Sequence, residues 1–350
     1  MPTAPVDERG TVLAYEDSGA PAGSDNYTTI ILVHGLIFHG KIFKPLFSHA
    51  AQHNLRLVLI NNRDYVGSTP FSSEEIEAHQ STDSAAQSEV LRARGQELAA
   101  FVDYFTRTYH PPKVHTDATG RRSNGIIVLG WSYGNAVVFS LLAHATSFSD
   151  EVKATLDDYL RTAVLYEMSG NFLGFKEFIV EPPPDAATVR YIFEHVQSAY
   201  FPPITTDLDN LTYEEVVSRP MPDFSNPDIK KTRWAPGQIE EVADFEWLKR
   251  AETTTWLLSY TQLRENLRRA VADTAGVLPK VNLVVLWGNQ SSPICVWSPL
   301  ALRAVLKESR EASNEAYHPR DITWHKIEGG NHFFHWDHPA RFIALLAEKA

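Results

Sequence analysis

The chain has 350 residues, of which 43 % are hydrophobic and 21 % are charged, enough for one large domain or for a core domain with a substantial insertion. Its net charge of -11 and its pI near 5.7 argue against nucleic acid as a partner, because no basic field is available to neutralise phosphates. The single cysteine, Cys295, excludes an intramolecular disulfide and does not point to an oxidising compartment.

Neither a targeting segment nor a membrane span is predicted. The N-terminal residues carry charges and no apolar run, and no stretch has the length and hydropathy needed to cross a bilayer. We therefore expect a cytoplasmic protein without a membrane partner. The sequence leaves the oligomeric state open, and a homodimer is compatible with it.

Short apolar runs alternate with helix-length amphipathic segments along the chain. The predicted strands, after an edge strand at Thr11–Glu16, are Thr29–Val33, Leu55–Ile60, Gly125–Leu129, Thr162–Tyr166, Val281–Trp287 and Ile322–Ile327. The predicted helices are Ala85–Tyr109, Asn135–Thr146, Ser298–Lys307 and Pro339–Glu348. Strands separated by helical crossovers form a parallel sheet with helices on both faces, so the pattern predicts an α/β fold. Pro111–Asn124 is predicted to be a solvated surface loop.

One connection is much longer than the others. More than a hundred residues, rich in proline and aromatics, separate Tyr166 from Val281. A structureless loop of that length is improbable, so the helical patterns at Ala186–Tyr200 and Glu240–Ala272 favour an inserted, mainly helical cap. The predicted division is a core in two parts, residues 1–169 and 276–350, with the cap at 170–275.

A candidate nucleophile lies between a strand and a helix. Gly130-Trp131-Ser132-Tyr133-Gly134 is a G-x-S-x-G pentapeptide that follows an apolar strand and precedes an apolar helix. Such a turn exposes the serine on a strained tip, and glycine tolerates the crowding on each side. The alternative is a buried serine in a tight turn. The strand–turn–helix context favours Ser132 as a nucleophile.

A second loop supplies candidate oxyanion donors. The strand Thr29–Val33 ends at His34-Gly35-Leu36, and a glycine after an early strand lets the backbone approach a substrate. We predict that the backbone N–H groups of Leu36 and Tyr133 form the oxyanion hole. The N–H of Gly35 is the alternative if the loop register differs by one.

The candidate base lies in Glu328–Pro339, with the sequence EGGNHFFHWDHP. His332 follows a Gly-Gly turn at the end of a strand, where a loop histidine reaches over the sheet, and His335 and His338 come next. Three histidines also suggest a metal site, but their spacing lacks the i, i+4 pair and the thiolates of common zinc motifs. We therefore predict that His332 is a general base and that no metal is bound.

Taken in order, HGLIF, NNRDYVGSTP (Asn61–Pro70), GWSYGNAV and GGNHFFHWDHP resemble the motifs of the α/β-hydrolase fold superfamily. The resemblance covers the chain apart from the cap. It implies eight mostly parallel strands and a triad in the chain order serine, acid, histidine. It also implies an aspartate after the strand Val281–Trp287, where this chain has Gly288-Asn289-Gln290-Ser291-Ser292 instead.

Without this aspartate, the other place from which an acid can reach His332 is the end of the preceding strand. Glu308 and Glu311 lie about twenty residues further on, and Asp337 is too close to His332 along the chain. Glu167 ends the strand Thr162–Tyr166, where side chains point into the crevice of an open α/β sheet. Its position alone is also compatible with a solvated glutamate. Because His332 otherwise lacks an orienting group, we predict that Glu167 is the triad acid.

An acid after the sixth strand resembles the layout of fungal lactonases that open the macrolactone zearalenone, in which the later strand also lacks the acid. The pairing of YEMSG with GGNHFFHWDHP carries this resemblance. This chain is longer, mostly in the cap, and its nucleophile motif reads GWSYG. The resemblance implies a related triad geometry but does not extend to that substrate.

The predicted cap is aromatic. It contains Phe172, Phe175, Phe178, Tyr191, Phe193, Tyr200, Phe201, Trp234, Phe245, Trp247 and Trp256. Most of these form the cap's own core, but a hydrophobic cleft suits an apolar ester better than a charged metabolite. We expect Gly35, Trp131 and Trp234 to contact the substrate.

The sequence thus predicts a serine hydrolase that needs no cofactor and cleaves a small hydrophobic ester or lactone with Ser132, His332 and Glu167. Two alternatives remain open. One is a non-hydrolytic enzyme on the same scaffold, namely a lyase, a cyclase or a cofactor-free dioxygenase. The other is a catalytically idle ligand-binding protein, which requires that Glu167 does not contact His332.

Overall fold

The computed structural model describes residues 1–175, 185–245, 259–272, 278–312 and 318–349. Phe178, Trp247, Trp256 and the middle of the predicted helix Glu240–Ala272 lie outside the described residues.

An eight-stranded sheet forms the centre of the fold. Its spatial order is β1-β2-β4-β3-β7-β8-β9-β10, and the pairs β1–β2 and β2–β4 are antiparallel while the others are parallel. The mostly parallel eight-stranded sheet is therefore confirmed. The strands of this sheet are β1 (Thr3–Pro5), β2 (Val12–Asp17), β3 (Thr28–Val33), β4 (Leu55–Ile60), β7 (Ile126–Trp131), β8 (Leu160–Tyr166), β9 (Asn282–Gly288) and β10 (Ile322–Ile327).

The apolar runs form strands because both faces of the sheet are covered. Along β3, Ile31 and Val33 enter the hydrophobic core on one face, while Ile30 and Leu32 enter the core on the other. Successive strand side chains point to opposite faces, so a strand buried on both sides has a continuous apolar sequence.

Helices cover both faces of the sheet. The helices are α1 (Phe47–Ala50), α2 (Ser73–Gln80), α3 (Ser84–Tyr109), α4 (Gly134–Ala143), α5 (Asp150–Tyr159), α6 (Ala186–Tyr191), α7 (Tyr213–Val217), α8 (Tyr260–Val271), α9 (Pro293–Ala312), α10 (Phe334–Asp337) and α11 (Pro339–Lys349). None of these helices in the described part of the chain is both long and apolar enough to cross a membrane.

The segment Pro111–Asn124 differs from its prediction. It forms a two-stranded antiparallel ribbon of β5 (Val114–Thr116) and β6 (Arg122–Asn124). The turn between these strands contains Gly120 at φ +84°, which glycine adopts without steric cost. The short polar strands alternate too weakly for their sequence to have indicated a hairpin.

The described residues between β8 and β9 include the short helices α6 to α8 and extended segments. Backbone hydrogen bonds fix this region to the core, since Phe201 donates to Gln290 (2.9 Å) and Ile204 donates to Asn289 (2.9 Å). On the opposite side, Phe38 forms an antiparallel bridge with Ala243. The division into a two-part core and a cap stays a prediction.

Candidate active site

Ser132 lies at the sharp turn between β7 and α4. Its φ of +54° is unusual for a residue with a Cβ, and its N–H donates to the carbonyl of Tyr166 (3.1 Å). A Cβ at Gly130 would lie 2.7 Å from the Asn135 nitrogen, and one at Gly134 would lie 2.2 Å from the Val33 carbonyl oxygen. Both glycines are therefore required by close packing, and the strained turn is the geometry that exposes a nucleophilic serine.

The loop after β3 packs directly against the nucleophile turn. A Cβ on Gly35 would lie 3.0 Å from the Ser132 Cβ, and the Leu36 side chain lines the same cavity as Ser132. Tyr133 directly follows Ser132 and immediately precedes the first turn of α4. The helix dipole of α4 adds partial positive charge at that point. The loop and the helix start thus meet at Ser132, as an oxyanion hole requires.

His34 braces this loop from below. Its Nδ1–H donates to the Gly35 carbonyl (2.8 Å), and its Nε2 accepts the N–H of Asn62 (3.0 Å). Burial lowers the pKa of His34 to about 3, so the ring is neutral and its two hydrogen bonds define one tautomer. His34 has a structural role in positioning the loop.

The loop Asn61–Pro70 supports the same region. The hydroxyl of Tyr65 accepts the N–H of Ile37 (2.9 Å), whose φ is +62°, and Asn61 Oδ1 accepts the N–H of Gly40 (2.8 Å). Arg63 is buried and pairs with Glu75 and Glu97 beneath this loop. The loop Asn61–Pro70 therefore holds the loop after β3 in place.

Glu167 contacts His332. Its Oε2 lies 3.1 Å from Nδ1 of the imidazole, and both side chains are buried. Its Oε1 accepts the N–H of Gly288 at 2.5 Å. Glu167 has a φ of +48°, so the backbone at the end of β8 is held in the left-handed region. The structure thus brings together Glu167 and His332 as the sequence predicted.

Two further groups act on this carboxylate. The Cys295 thiol lies 3.4 Å from Nδ1 of His332, and burial together with the nearby charge of Glu167 raises the pKa of the thiol well above its ordinary value. Burial also lowers the pKa of the Arg219 guanidinium to about 10, while the attraction of Glu167 opposes this change. A neutral thiol, a backbone N–H and a nearby cation therefore surround the buried acid.

The residues that stand where an aspartate was expected hold the loop that carries His332 in place. Asn289 Oδ1 accepts the N–H of Gly329 (2.8 Å), and its Nδ2 donates to Glu328 (2.6 Å). The N–H of Gln290 donates to the Gly330 carbonyl (2.9 Å). A Cβ on Gly288 would lie 2.4 Å from that same carbonyl oxygen, so the two loops are in close contact.

Trp131 and Trp234 are predicted to contact the substrate. The indole of Trp131 is fully buried, and its Nε1–H donates to the His332 carbonyl (3.0 Å). Trp234 packs on Phe38 and Trp336, away from the nucleophile. Neither tryptophan is among the described residues that line the cavity, and neither is Gly35, which packs tightly on Ser132. The substrate contacts expected of these three residues stay a prediction.

Asp337 and His335, the other acid and histidine near His332 in the sequence, contact other residues. Asp337 accepts hydrogen bonds from the hydroxyls of Tyr200 (2.6 Å) and Thr232 (2.7 Å). His335 lies in the core beside Trp131 and contacts the Tyr166 hydroxyl at 3.3 Å, and burial lowers its pKa well below the ordinary value. These contacts leave the His332 ring as the histidine that meets both Glu167 and the cavity.

A cavity of about 430 Å³ opens above Ser132 and His332. Its walls are mainly apolar and come from the loop after β3 and from the segment between β8 and β9, including Leu36, Phe172, Val189, Ile192, Phe193 and Val196. Asn171 and Gln197 add polar groups, and the Oδ1 atom of Asn171 is buried without a hydrogen-bond partner among the described residues. A cavity of this size and polarity fits a small, largely apolar ligand.

The cavity residues that the sequence did not predict include Cys295, Asn171 and Gln197. Cys295 lies six residues after the vacant acid position, which was the one available signal. Asn171 and Gln197 belong to a segment whose path over the sheet has no periodicity that identifies its inward side. One ligand atom each from Glu167, Cys295 and His332 lie within 4.8 Å of one another, close enough to share a metal ion.

Comparisons with known proteins agree with the fold. The profile of the Alpha/beta hydrolase family matches residues 30–345. No curated protein matches the sequence.

Similar solved structures cover nearly the whole chain at low identity. They include a bromoperoxidase from Bacillus anthracis, with a TM-score of 0.52, 12 % identity, and coverage of 99 % of this chain and 97 % of that one. A protein assigned as an aryl esterase from Burkholderia cenocepacia has a TM-score of 0.50, 17 % identity and coverage of 99 % and 96 %. The haloalkane dehalogenase DatA from Agrobacterium tumefaciens has a TM-score of 0.50, 14 % identity and coverage of 99 % and 94 %. At these identities the likeness concerns the fold.

Proposed function

The chain belongs to the alpha/beta hydrolase family, and from that premise we propose that it is a serine hydrolase that cleaves a hydrophobic carboxylic ester or lactone through an acyl-enzyme. The observation that carries the proposal is the 3.1 Å contact between Glu167 and His332 beside a cavity that Ser132 also lines. A nucleophile, a base and an orienting acid are the groups that acyl transfer requires.

The hydrogen bond to Glu167 assigns the two ring nitrogens of His332. Because Nδ1–H donates to the carboxylate, Nε2 carries no proton in the neutral ring and is the basic atom. Nε2 takes the Ser132 hydroxyl proton as Oγ attacks the carbonyl carbon, and the carboxylate stabilises the resulting imidazolium. The imidazolium then protonates the leaving alkoxide, which departs as the alcohol or stays attached as the opened lactone.

The second half of the reaction uses the same groups. A water molecule gives its proton to Nε2 and attacks the acyl carbon, after which Ser132 recovers its proton and the acid product leaves. The N–H groups of Leu36 and Tyr133 are the proposed donors to the oxyanion in both steps. Removing one such donor typically costs about 100- to 1000-fold in kcat.

The cavity supports an apolar acyl or alcohol group as the bound part of the substrate. Its apolar side chains exclude water from the reacting carbonyl, which strengthens the interactions that stabilise the oxyanion. Asn171 Oδ1 would accept a hydrogen bond from a hydroxyl group of the substrate.

An active-site-directed probe tests the proposal. A fluorophosphonate is expected to label the native protein at Ser132 and to leave Ser132→Ala and heat-denatured protein unlabelled. A panel of p-nitrophenyl esters and aryl-fused lactones then measures hydrolysis directly. Labelling of Ser132 without turnover of any ester or lactone would overturn hydrolysis in favour of another reaction on the same scaffold. Equal labelling of Ser132→Ala would overturn the assignment of the nucleophile.

A further inference from the structure

We propose that the inner wall of the cavity is an inhibitory site for a thiophilic divalent cation such as Zn²⁺, held by Glu167, Cys295 and His332. These residues come from three separate elements, the end of β8, the start of α9 and the loop after β10. Each presents one ligand atom, and the three atoms lie within 4.8 Å of one another in a buried cluster.

Two of the distances between these atoms match the edges of a tetrahedral zinc site. With ordinary zinc–ligand bond lengths, a tetrahedral site separates nitrogen from oxygen by about 3.3 Å and nitrogen from sulfur by about 3.5 Å. Nδ1 of His332 lies 3.1 Å from Glu167 Oε2 and 3.4 Å from Cys295 Sγ. A cation can therefore enter with side-chain shifts of a few tenths of an ångström on these two edges.

The ligand set selects the cation. One sulfur, one imidazole nitrogen and one carboxylate oxygen favour Zn²⁺ and Cd²⁺, while Mg²⁺ and Ca²⁺ prefer sites made of oxygen. Cys295 and His332 line the cavity, which places two of the three ligands at its wall. Gln197 Oε1, 4.0 Å from Sγ, or a water molecule in the cavity completes the coordination.

Binding would stop the reaction by changing which ring nitrogen of His332 carries the proton. The cation bonds to Nδ1, which moves the ring proton to Nε2, and the thiol releases one proton as the metal–sulfur bond forms. Nε2 then carries a proton and cannot accept the one from Ser132. This inhibition rests on the proposed function, but the binding of the cation does not. Since a thiol proton is released, binding strengthens as the pH rises.

Cobalt provides a readout that does not depend on activity. Cys295 is the single cysteine of the sequence, so a thiolate-to-Co²⁺ charge-transfer band in the near ultraviolet can come only from this residue. We expect the band when Co²⁺ is added to the native protein, its displacement by Zn²⁺, and its absence in Cys295→Ser. Cys295→Ala serves as the second variant in case serine disturbs folding, which thermal melting checks.

Inhibition is then measured against each variant's own rate. Zn²⁺ is expected to inhibit ester hydrolysis by the native protein. Cys295→Ser is expected to need at least about tenfold more Zn²⁺ for the same fractional loss of its hydrolysis rate. Mg²⁺ is the control cation and should not inhibit. A cysteine-dependent cobalt band in a protein that hydrolyses no ester would support the cation site and overturn only the proposed function. No such band, together with equal zinc inhibition of native protein and variant, would overturn the site.

Discussion

The carboxylate of Glu167 lies 3.1 Å from Nδ1 of His332, and its other oxygen accepts the N–H of Gly288 at 2.5 Å. Gly288 ends β9, the strand after which the family pattern implies the acid. In this protein the end of β9 therefore contributes a hydrogen-bond donor to an acid on the neighbouring strand. A backbone N–H offsets part of the cost of burying the carboxylate.

Ser132→Ala is expected to lower kcat for the best ester substrate by at least about 1000-fold with little change in KM, because it removes the nucleophile and leaves the cavity walls intact. Initial rates with a chromogenic ester, together with thermal melting to show that the variant is folded, measure this effect. A variant that retains a tenth or more of the native kcat would rule out acyl transfer to Ser132.

Trp131→Phe tests the support of the histidine loop. The substitution removes the Nε1–H donor to the His332 carbonyl but keeps most of the buried aromatic ring. We expect kcat to fall by about tenfold, the equivalent of one lost hydrogen bond, with KM nearly constant. Trp324→Phe on β10 is the matched control and should retain native kinetics. A rise in KM with unchanged kcat would instead indicate that Trp131 contacts the substrate.

Much of the fold follows from the sequence because the strands are buried on both faces. Continuous apolar runs such as Leu55–Ile60 mark β4 without ambiguity, and the glycines around Ser132 identify the nucleophile turn. The acid was predicted from the absence of a carboxylate after β9 and from the position of Glu167 at a strand end. Both observations depend on the fixed direction of parallel strands.

The substrate side of the site could not be predicted in the same way. Which aromatic residues face the cavity depends on the path of irregular backbone between β8 and β9, and the sequence has no period there to specify it. Trp131 illustrates the difficulty, since its neighbour Ser132 reaches the cavity while the Trp131 indole is buried in the core.

Filling the cavity is expected to change acyl-chain preference. Val196→Phe places a larger side chain on the wall, so kcat/KM for an octanoate ester should fall by about tenfold or more relative to that for the acetate ester. Val66→Phe at an exposed position is the control and should leave the ratio unchanged. The ratio of the two specificity constants is the measurement. An unchanged ratio in Val196→Phe would show that the acyl chain binds elsewhere.

The buried histidine His34 is expected to make stability depend on pH. Its folded-state pKa is about 3, well below the ordinary value of 6.5, so the unfolded chain binds more protons between these pH values. Stability is therefore retained above pH 6.5 and lost as the pH falls towards 3. His34 alone contributes a loss of about 2 kcal/mol in the free energy of unfolding between pH 7 and pH 5.

Urea unfolding of native protein and His34→Gln at pH 7 and pH 5 checks this contribution. The variant is less stable at both pH values because the N–H of Asn62 loses its partner, but its loss between them should be smaller by about 2 kcal/mol. His115→Gln, at an exposed position, should keep the native pH dependence. An identical pH dependence in native protein and His34→Gln would contradict a neutral His34.

The kinetic effect of Glu167→Gln tests whether Glu167 is the acid that orients His332. Glutamine keeps the size of the side chain but presents no charge to His332, so the imidazolium formed during attack is no longer stabilised. We expect a kcat about 1000- to 10,000-fold below native. The double variant Ser132→Ala with Glu167→Gln should lose no more activity than Ser132→Ala alone. A folded Glu167→Gln variant with kcat within about tenfold of native would contradict the assignment of Glu167 as the acid of the triad.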